Sequence, residues 1–258
     1  MAEFAVPAAF AALVWWFATG AILYLDGLPR RTFARSMAAA TAVMLASACV
    51  AFATRNDRSV SGAYAAFTSA ILIWGWLEMS FLMGFVTGPR KESCHDRCAG
   101  WSHFLHATEA IIYNELASAA GAAGIVAVTW QSSNRVCLWT FLILWAMRLS
   151  AKLNLFFGVP NVGEQFLPDH LQYLKSFFRR RRMNFLFPVS IIASTLTVLV
   201  LAQKFWAAAD AFRSTAYALT TSLLALAVLE HWFMVLPLPS ERLWRWALRQ
   251  RPPRPQLP

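Results

Sequence analysis

The sequence predicts an all-α, polytopic membrane helix bundle of about seven transmembrane spans, and three observations carry that prediction. The 258 residues are 58% hydrophobic and only 14% charged, where a soluble domain carries about a quarter charged residues. The apolar residues come in long runs and not in the alternation of a strand or the stripe of a surface helix. The basic residues gather in alternate connections between those runs, as a chain that crosses a bilayer repeatedly requires. The same runs exclude a β-barrel, whose strands would be about ten residues long and strictly alternating.

The runs are 4–25, 36–54, 62–87, 103–129, 136–157, 185–205 and 214–236, each near the ~20 residues that cross ~30 Å of hydrocarbon. The first has Glu3 and no basic residue ahead of it, exceeds a signal-peptide core and shows no small-residue cleavage site, so it reads as a retained span. Short connections join the rest, except Pro89–Ser102 and Gly158–Asn184. No internal repeat or composition shift marks a boundary, so 1–258 reads as a single integral membrane domain.

Orientation follows from Lys and Arg. One side holds Arg30, Arg31, Arg35, Arg90, Lys91, Arg97, Lys175, Arg179, Arg180, Arg181, Arg182, Arg242, Arg245, Arg249, Arg251 and Arg254; the other holds Arg55, Arg58, Arg135, Lys204 and Arg213. Sixteen against five puts the first side in the cytoplasm, with the N-terminus outside and the C-terminus inside. The net charge of +10 is therefore a topology signal, and a nucleic-acid partner is not expected. Cys49 and Cys137 lie in apolar runs. Cys94 and Cys98 share a loop on the reducing side, which argues against a disulfide. "CHDRC" (94–98) offers two thiols and His95, but a lone Cys-x-x-x-Cys is a weak zinc signal, and a polar loop is the plainer reading.

In "FLPDHLQYLKSFFRRRR" (166–182), Leu167, Leu171, Leu174 and Phe178 fall on one helical face, and Pro168 suits a first turn. This predicts an interfacial helix over about 168–182 on the cytoplasmic leaflet. Lys175, Arg179, Arg180, Arg181 and Arg182 would form its anionic-lipid surface.

Ionisable groups at membrane depth cost several kcal/mol unless paired or facing water. Here they are Glu78, Glu109, Glu115, Arg148, Lys152, Glu230 and His231, with His106 nearer the interface. At ~1.5 Å per residue Glu78, Glu115 and Arg148 lie at similar depth, with Lys152, Glu230 and His231 in the cytoplasmic half. All could line one cavity opening to the cytoplasm, with His170 across its mouth. Arg148 and Lys152 share a face; Glu115 faces away from His106 and Glu109, and being deeper it is assigned to the cavity.

Three readings compete. The acids can pair with Arg148 and Lys152 as a buried charge network, with Glu230 on one of those cations and His231 left to meet a ligand. Glu78, Glu115, Glu230 and His231, with His170, can bind a dinuclear iron centre, although no Glu-x-x-His occurs at that spacing. Or a pigment or haem can bind with His231 or His106 as axial ligand.

At these residues the chain resembles a known family. "ILYLDGLPRRTF" (22–33), "WGWLEMSFLMGFVTGPR" (74–90), "MRLSAKLNLFFGVPN" (147–161), "FLPDHLQYLKSFFRRR" (166–181), "NFLFPVS" (184–190) and "LEHWFMVLPLP" (229–239) are similar to the photosynthetic complex assembly protein PuhE of purple phototrophic bacteria. The resemblance covers most of the chain and is weak in 36–60, 92–105 and 204–215. It implies a multi-pass protein of the bacterial inner or intracytoplasmic membrane, encoded near the reaction-centre H subunit. Such a protein helps build reaction-centre and light-harvesting complexes and affects bacteriochlorophyll supply. Its partners would be photosynthetic complex subunits or pigment-synthesis enzymes. No catalytic residues transfer. Members often carry His before the glutamate of span 4; this chain has Asn114, which removes one candidate ligand from the metal reading.

The expected function is a non-enzymatic assembly factor. Its cavity of Glu78, Glu115, Arg148, Lys152, Glu230 and His231 would hold bacteriochlorophyll or a precursor, or contact partner helices. The alternatives are an iron-dependent membrane oxidase or hydroxylase acting on a tetrapyrrole, and a precursor transporter. The lack of repeats and of paired broken spans counts against the transporter.

Overall fold

A computed structural model describes residues 2–95 and 98–248. Of the basic residues that set the orientation, Arg97, Arg249, Arg251 and Arg254 lie outside the described residues. Hydrocarbon offers no partner to a backbone N–H or C=O, so each apolar run must close its hydrogen bonds within itself. The runs accordingly form helices α1 (Ala2–Asp26), α2 (Phe33–Ala53), α3 (Val60–Leu82), α4 (Gly100–Thr129), α5 (Val136–Phe157), α6 (Leu186–Trp206) and α7 (Ala211–Phe233). All seven are long and apolar enough to cross a membrane. The described residues contain no strand, and the chain is a multi-pass helical membrane protein.

The order of the helices in space follows side-chain size. α3 and α7 are the central pair, 61% and 56% buried over their most apolar stretches, against 11% for α6. Both present small residues inward: Ala63, Ala66, Ser69 and Ala70 on α3, Ala218, Thr221, Ser222 and Ala227 on α7. Small residues let helix backbones approach closely where lipid gives no hydrophobic drive between helices. Phe67 and Phe141 fill the space between α3 and α5, with Leu219 and Leu223 of α7 in the same core. α6 turns Val189, Ile192, Leu196 and Leu199 outward, a stripe suited to acyl chains.

Caps fix the end of the bundle away from the basic loops. Ser59 Oγ accepts the Gly62 N–H at 3.0 Å at the start of α3, and Asp210 Oδ1 accepts the Arg213 N–H at 2.8 Å at the start of α7. Asn134, 1% exposed, donates to the carbonyls of Thr54, Asp57 and Gly62 and accepts the Val136 N–H. One amide thus ties the α2–α3 turn to the α4–α5 turn.

The structure departs from the sequence reading at three places. α3 stops at Leu82 and not at 87, because Gly84 (φ +82°) takes the left-handed conformation. The Phe85 N–H reaches Ser80 O and the Gly84 N–H reaches Phe81 O, both at 2.9 Å, a glycine-terminated helix end. The segment read as an interfacial helix over 168–182 is a 3-10 helix, Asp169–Phe177. Its buried residues are Leu171, Leu174 and Phe177, a spacing of three that matches three residues per turn. That face packs on Phe81 and Ala110 of the bundle and not on lipid. Lastly, a 3-10 turn (Ser240–Trp244) and the short helix α8 (Arg245–Leu248) return against α1. The Trp244 indole donates to Trp16 O at 3.0 Å, and the Trp16 indole donates to Leu243 O at 2.8 Å. Gly20 leaves the room that the Trp246 ring occupies.

After α3 the chain crosses close beneath α4. The Asn114 N–H donates to Thr87 O at 3.1 Å, and a Cβ on Gly88 would overlap the Glu109 carbonyl oxygen and lie 2.6 Å from the Ala110 carbonyl carbon. Both obstacles are backbone and cannot rotate away. Gly88→Ala is therefore expected to destabilise the protein by about 1–3 kcal/mol, as overpacking does. Gly124→Ala, where nothing lies within 4 Å, should be neutral or slightly stabilising. Thermal unfolding of the two variants in the same detergent separates these outcomes.

Candidate functional site

A cavity of about 1120 Å³ lies between α1, α3, α4, α5 and α7 and reaches the connection 160–166 and the segment 237–241. Glu78, Glu115, Arg148, Lys152, Glu230 and His231 all border it. Trp15, Trp74, Phe81, Phe104, Phe156 and Trp244 supply much of its apolar wall. His170 does not line it; that ring stands edge-on to Phe33 at 5.9 Å. His106 is also outside the lining, and Glu109 lies away from the cavity with Arg90 at 3.8 Å.

The cations of α5 choose their acids by depth. Arg148 Nη2 meets Glu78 Oε2 of α3 at 2.9 Å. One turn on, Lys152 Nζ meets Glu115 Oε1 of α4 at 2.7 Å and donates to Asn114 Oδ1 at 2.8 Å. The other Glu115 oxygen accepts the Trp145 indole N–H at 3.1 Å, and Lys152 also stands 5.0 Å from the centre of the Phe81 ring. Asn114, at the position where the resemblance expected His, is thus part of the lysine's shell. The Lys152–Glu115 side chains are 14% and 18% exposed, the Arg148–Glu78 side chains 38% and 14%. Arg148 is the cation that shows most of its surface.

Two expectations are corrected. Glu230 does not pair with Arg148 or Lys152, since other acids hold those cations; its Oε1 accepts the Trp15 indole N–H at 3.2 Å. A neutral donor from α1 does the work assigned to a cation. His231 is not left open for a ligand. It is 3% exposed, with Nδ1 2.9 Å from Ala227 O and Nε2 3.0 Å from Ser150 Oγ. A carbonyl only accepts, so Nδ1 carries a proton, and Nε2 packs against the Ser150 hydroxyl. Ser150 is also 3.0 Å from Ser190 Oγ of α6, and the Asn154 amide donates to Ser150 O and Ser190 Oγ. These residues bind α5 to α6 and α7.

The same facts remove the geometry of the dinuclear metal reading. Glu78 and Glu115 each face a cation, both nitrogens of His231 are engaged, and His170 is elsewhere. Among the described residues these donors do not form a group around one point. Sequence reasoning missed Trp15, Trp145 and Ser150, and the contact of Asn114 with Lys152, because the importance of uncharged residues shows only when the neighbouring helix is known.

Of the residues assigned to an anionic-lipid surface, Lys175 and Arg180 are held by one acid. Glu164 Oε2 is 3.0 Å from Lys175 Nζ, and its Oε1 is 2.8 Å from Arg180 Nη2. Arg179 lies 5.4 Å from the Phe156 ring, and its backbone bonds Leu155 O and the Val159 N–H. Arg181 and Arg182 are exposed. Hydrogen bonds from Arg180 and then Lys175 hold the Glu164 carboxyl below its ordinary range. Glu164 and Arg180 both border the cavity, so this clasp closes its basic end.

A family model described as Protein of unknown function (DUF3623) matches residues 1–255. A Rhodobacter capsulatus protein described as "Uncharacterized 30.4 kDa protein in puhA 5'region" is 42% identical over 244 residues, covering 91% of this chain and 87% of its own length. No solved structure matches.

Removing one partner of a buried ion pair leaves the other uncompensated, at a cost of about 3–5 kcal/mol. Lys152→Ala should lose much of that and accumulate poorly, while Glu115→Gln with Lys152→Met should recover most of the loss. Thermal unfolding in detergent measures both. The Glu164 clasp has a sign fixed by its lowered folded-state pKa: its contribution is present above the ordinary glutamate range and is lost as pH falls through the lowered value. Glu164→Gln at neutral pH should speed proteolysis within 160–182. Acidification should do the same to the wild type and add nothing to the variant.

Proposed function

We propose, from the premise that the chain belongs to the DUF3623 family, that it is an assembly factor of the bacterial photosynthetic apparatus. In this reading it sits in the bacterial inner membrane, basic end toward the cytoplasm, and holds a tetrapyrrole on its way to reaction-centre or light-harvesting subunits. It binds and does not transform its ligand.

The observation that carries the reading is the cavity itself. Ligand pockets run to about 300–1,000 Å³, mostly apolar with a few placed polar groups. This one, at about 1120 Å³, has room for a macrocycle against Trp15, Trp74 and Phe81. Arg148 stands at its edge with one side of the guanidinium on Glu78 and over a third of the side chain exposed. A guanidinium has five N–H donors, so it can keep Glu78 and still receive the carboxylate of a tetrapyrrole precursor. The relative's place in a puhA 5′ region agrees with the gene neighbourhood that the PuhE resemblance implies. It supports photosynthetic subunits or pigment-synthesis enzymes as partners.

Purification from a phototrophic host in mild detergent, followed by an absorption spectrum, tests this. Chlorin or porphyrin bands near one pigment per chain are expected. Arg148→Met combined with Glu78→Gln leaves no carboxylate unpaired at depth and should accumulate, yet lose the pigment several-fold. A pigment-free wild type, together with an Arg148→Met/Glu78→Gln strain that accumulates the protein and builds its complexes at the normal level, would sink the reading.

A further inference from the structure

Away from the cavity, five soft or borderline ligand side chains lie between positions 94 and 106, and four of them, Cys94, Cys98, His103 and His106, approach one another. Cys94 Sγ and Cys98 Sγ stand 3.4 Å and 3.1 Å from the same atom, His106 Nδ1. His103 Nδ1 stands 3.3 Å from Cys94 Sγ. The ligand atoms of Cys94, Cys98 and His106 are all within 4.8 Å of one another.

Hydrogen bonds can pair Cys98 with His106 Nδ1 and Cys94 with His103 Nδ1, but an imidazole Nδ1 has one proton or one lone pair, so they give no reason for Cys94 Sγ to close on His106 Nδ1 as well. A metal ion satisfies all of them at once. Tetrahedral zinc with S at ~2.3 Å and N at ~2.0–2.1 Å puts its sulfur and nitrogen ligands roughly 3.5 Å apart, a few tenths of an ångström wider than the three S···N separations here; His103 stands outside the mutually close group and joins it through its contact with Cys94. His103 and His106 are three apart on α4 and share a face. Gly100, in the left-handed conformation at φ +63°, turns the chain from Cys98 into that helix. His103 is fixed by stacking on Phe156 at 5.4 Å, and Cys94 by its N–H on Ser176 Oγ at 2.9 Å.

We propose that Cys94, Cys98, His103 and His106 form a structural zinc site that clips the loop after α3 to the first turns of α4. Two thiolates and two imidazoles fit a tetrahedral borderline-soft ion and leave no open position, so the site is structural and not catalytic. On binding, each thiol releases its proton to solvent and coordinates as thiolate. The clip joins four elements: the loop, α4, the end of α5 through Phe156, and the 3-10 segment through Ser176 and Phe177. It stands whatever the cavity binds.

The test uses the full chain in mild detergent, with any affinity tag removed, its thiols reduced and its metal stripped by chelator. Titration with Co²⁺ should give the visible bands of tetrahedral cobalt and a thiolate charge-transfer band, saturating at one ion per chain and abolished by one equivalent of Zn²⁺. The double variant Cys94→Ser/Cys98→Ser should lose the charge-transfer band, and Cys49→Ser should keep it. His103→Ala should keep it with affinity lower by about tenfold or more. The wild-type titration does not depend on any variant folding. No tetrahedral cobalt signal from reduced wild-type protein overturns the proposal, as does a charge-transfer band that survives in the double variant.

Discussion

Two cations one turn apart on α5 cannot sit at bilayer depth unless acids meet them, because an uncompensated charge there costs several kcal/mol. Arg148 and Lys152 find Glu78 on α3 and Glu115 on α4. Each pair fixes a rotation and a height at once, so three helices are held in one register by two contacts. The cavity is what remains between helices pinned in this way. Its polar rim is a consequence of the pins, and its apolar wall comes from the aromatic residues that fill the spaces beside them.

The opposite side of α5 is fastened by different chemistry. Ser150 lies about 200° around the helix from Arg148, and Asn154 is one turn beyond it. These two engage Ser190 of α6 and, through Ser150, His231 of α7. Asn184 continues the seam, donating to Asn154 O and Gly158 O while accepting the first N–H groups of α6. Hydroxyl and amide contacts of this kind cost little to desolvate compared with a charge, and in lipid each is worth about 0.6–2 kcal/mol. α5 therefore carries its strong interactions toward the cavity and its neutral ones toward the helices behind it.

This division explains what could be read from the sequence. The seven spans were legible because apolar length is a one-dimensional property, and the group of charges at one level was legible because depth is counted along a chain. Partners were not. Charge arithmetic offered Glu230 to a cation, but the nearer donor is the Trp15 indole on α1, a helix whose neighbour cannot be read from its own sequence. His231 looked free because a histidine beside a glutamate suggests chemistry; its Nδ1 is turned back to Ala227 O, a contact any helical histidine can make. Leu171 and Leu174 marked an apolar face correctly, but their separation suits three residues per turn as well as 3.6, and the third member proved to be Phe177 and not Phe178. His103 carries no signal of its own in the sequence, because its neighbours come from a loop that folds back on the start of α4.

The cavity is bounded unequally, and that inequality sets how it can open. On the α3, α4 and α5 sides its walls are continuous helices joined by ion pairs, where opening would break a pair at depth. On the other side its walls are 160–166 and 237–244, short turns with few backbone bonds of their own. Asn161 ties the first of them to the end of α7, its N–H on Met234 O at 2.9 Å and its amide on Phe233 O and Leu236 O. Glu164 then ties the first of these turns to the basic run. Segments with few internal hydrogen bonds open at lower free energy than packed helices. The contacts of Asn161 and Glu164 are therefore the ones in the cavity wall that can break and be remade in water while the charge pairs that hold the bundle stay undisturbed.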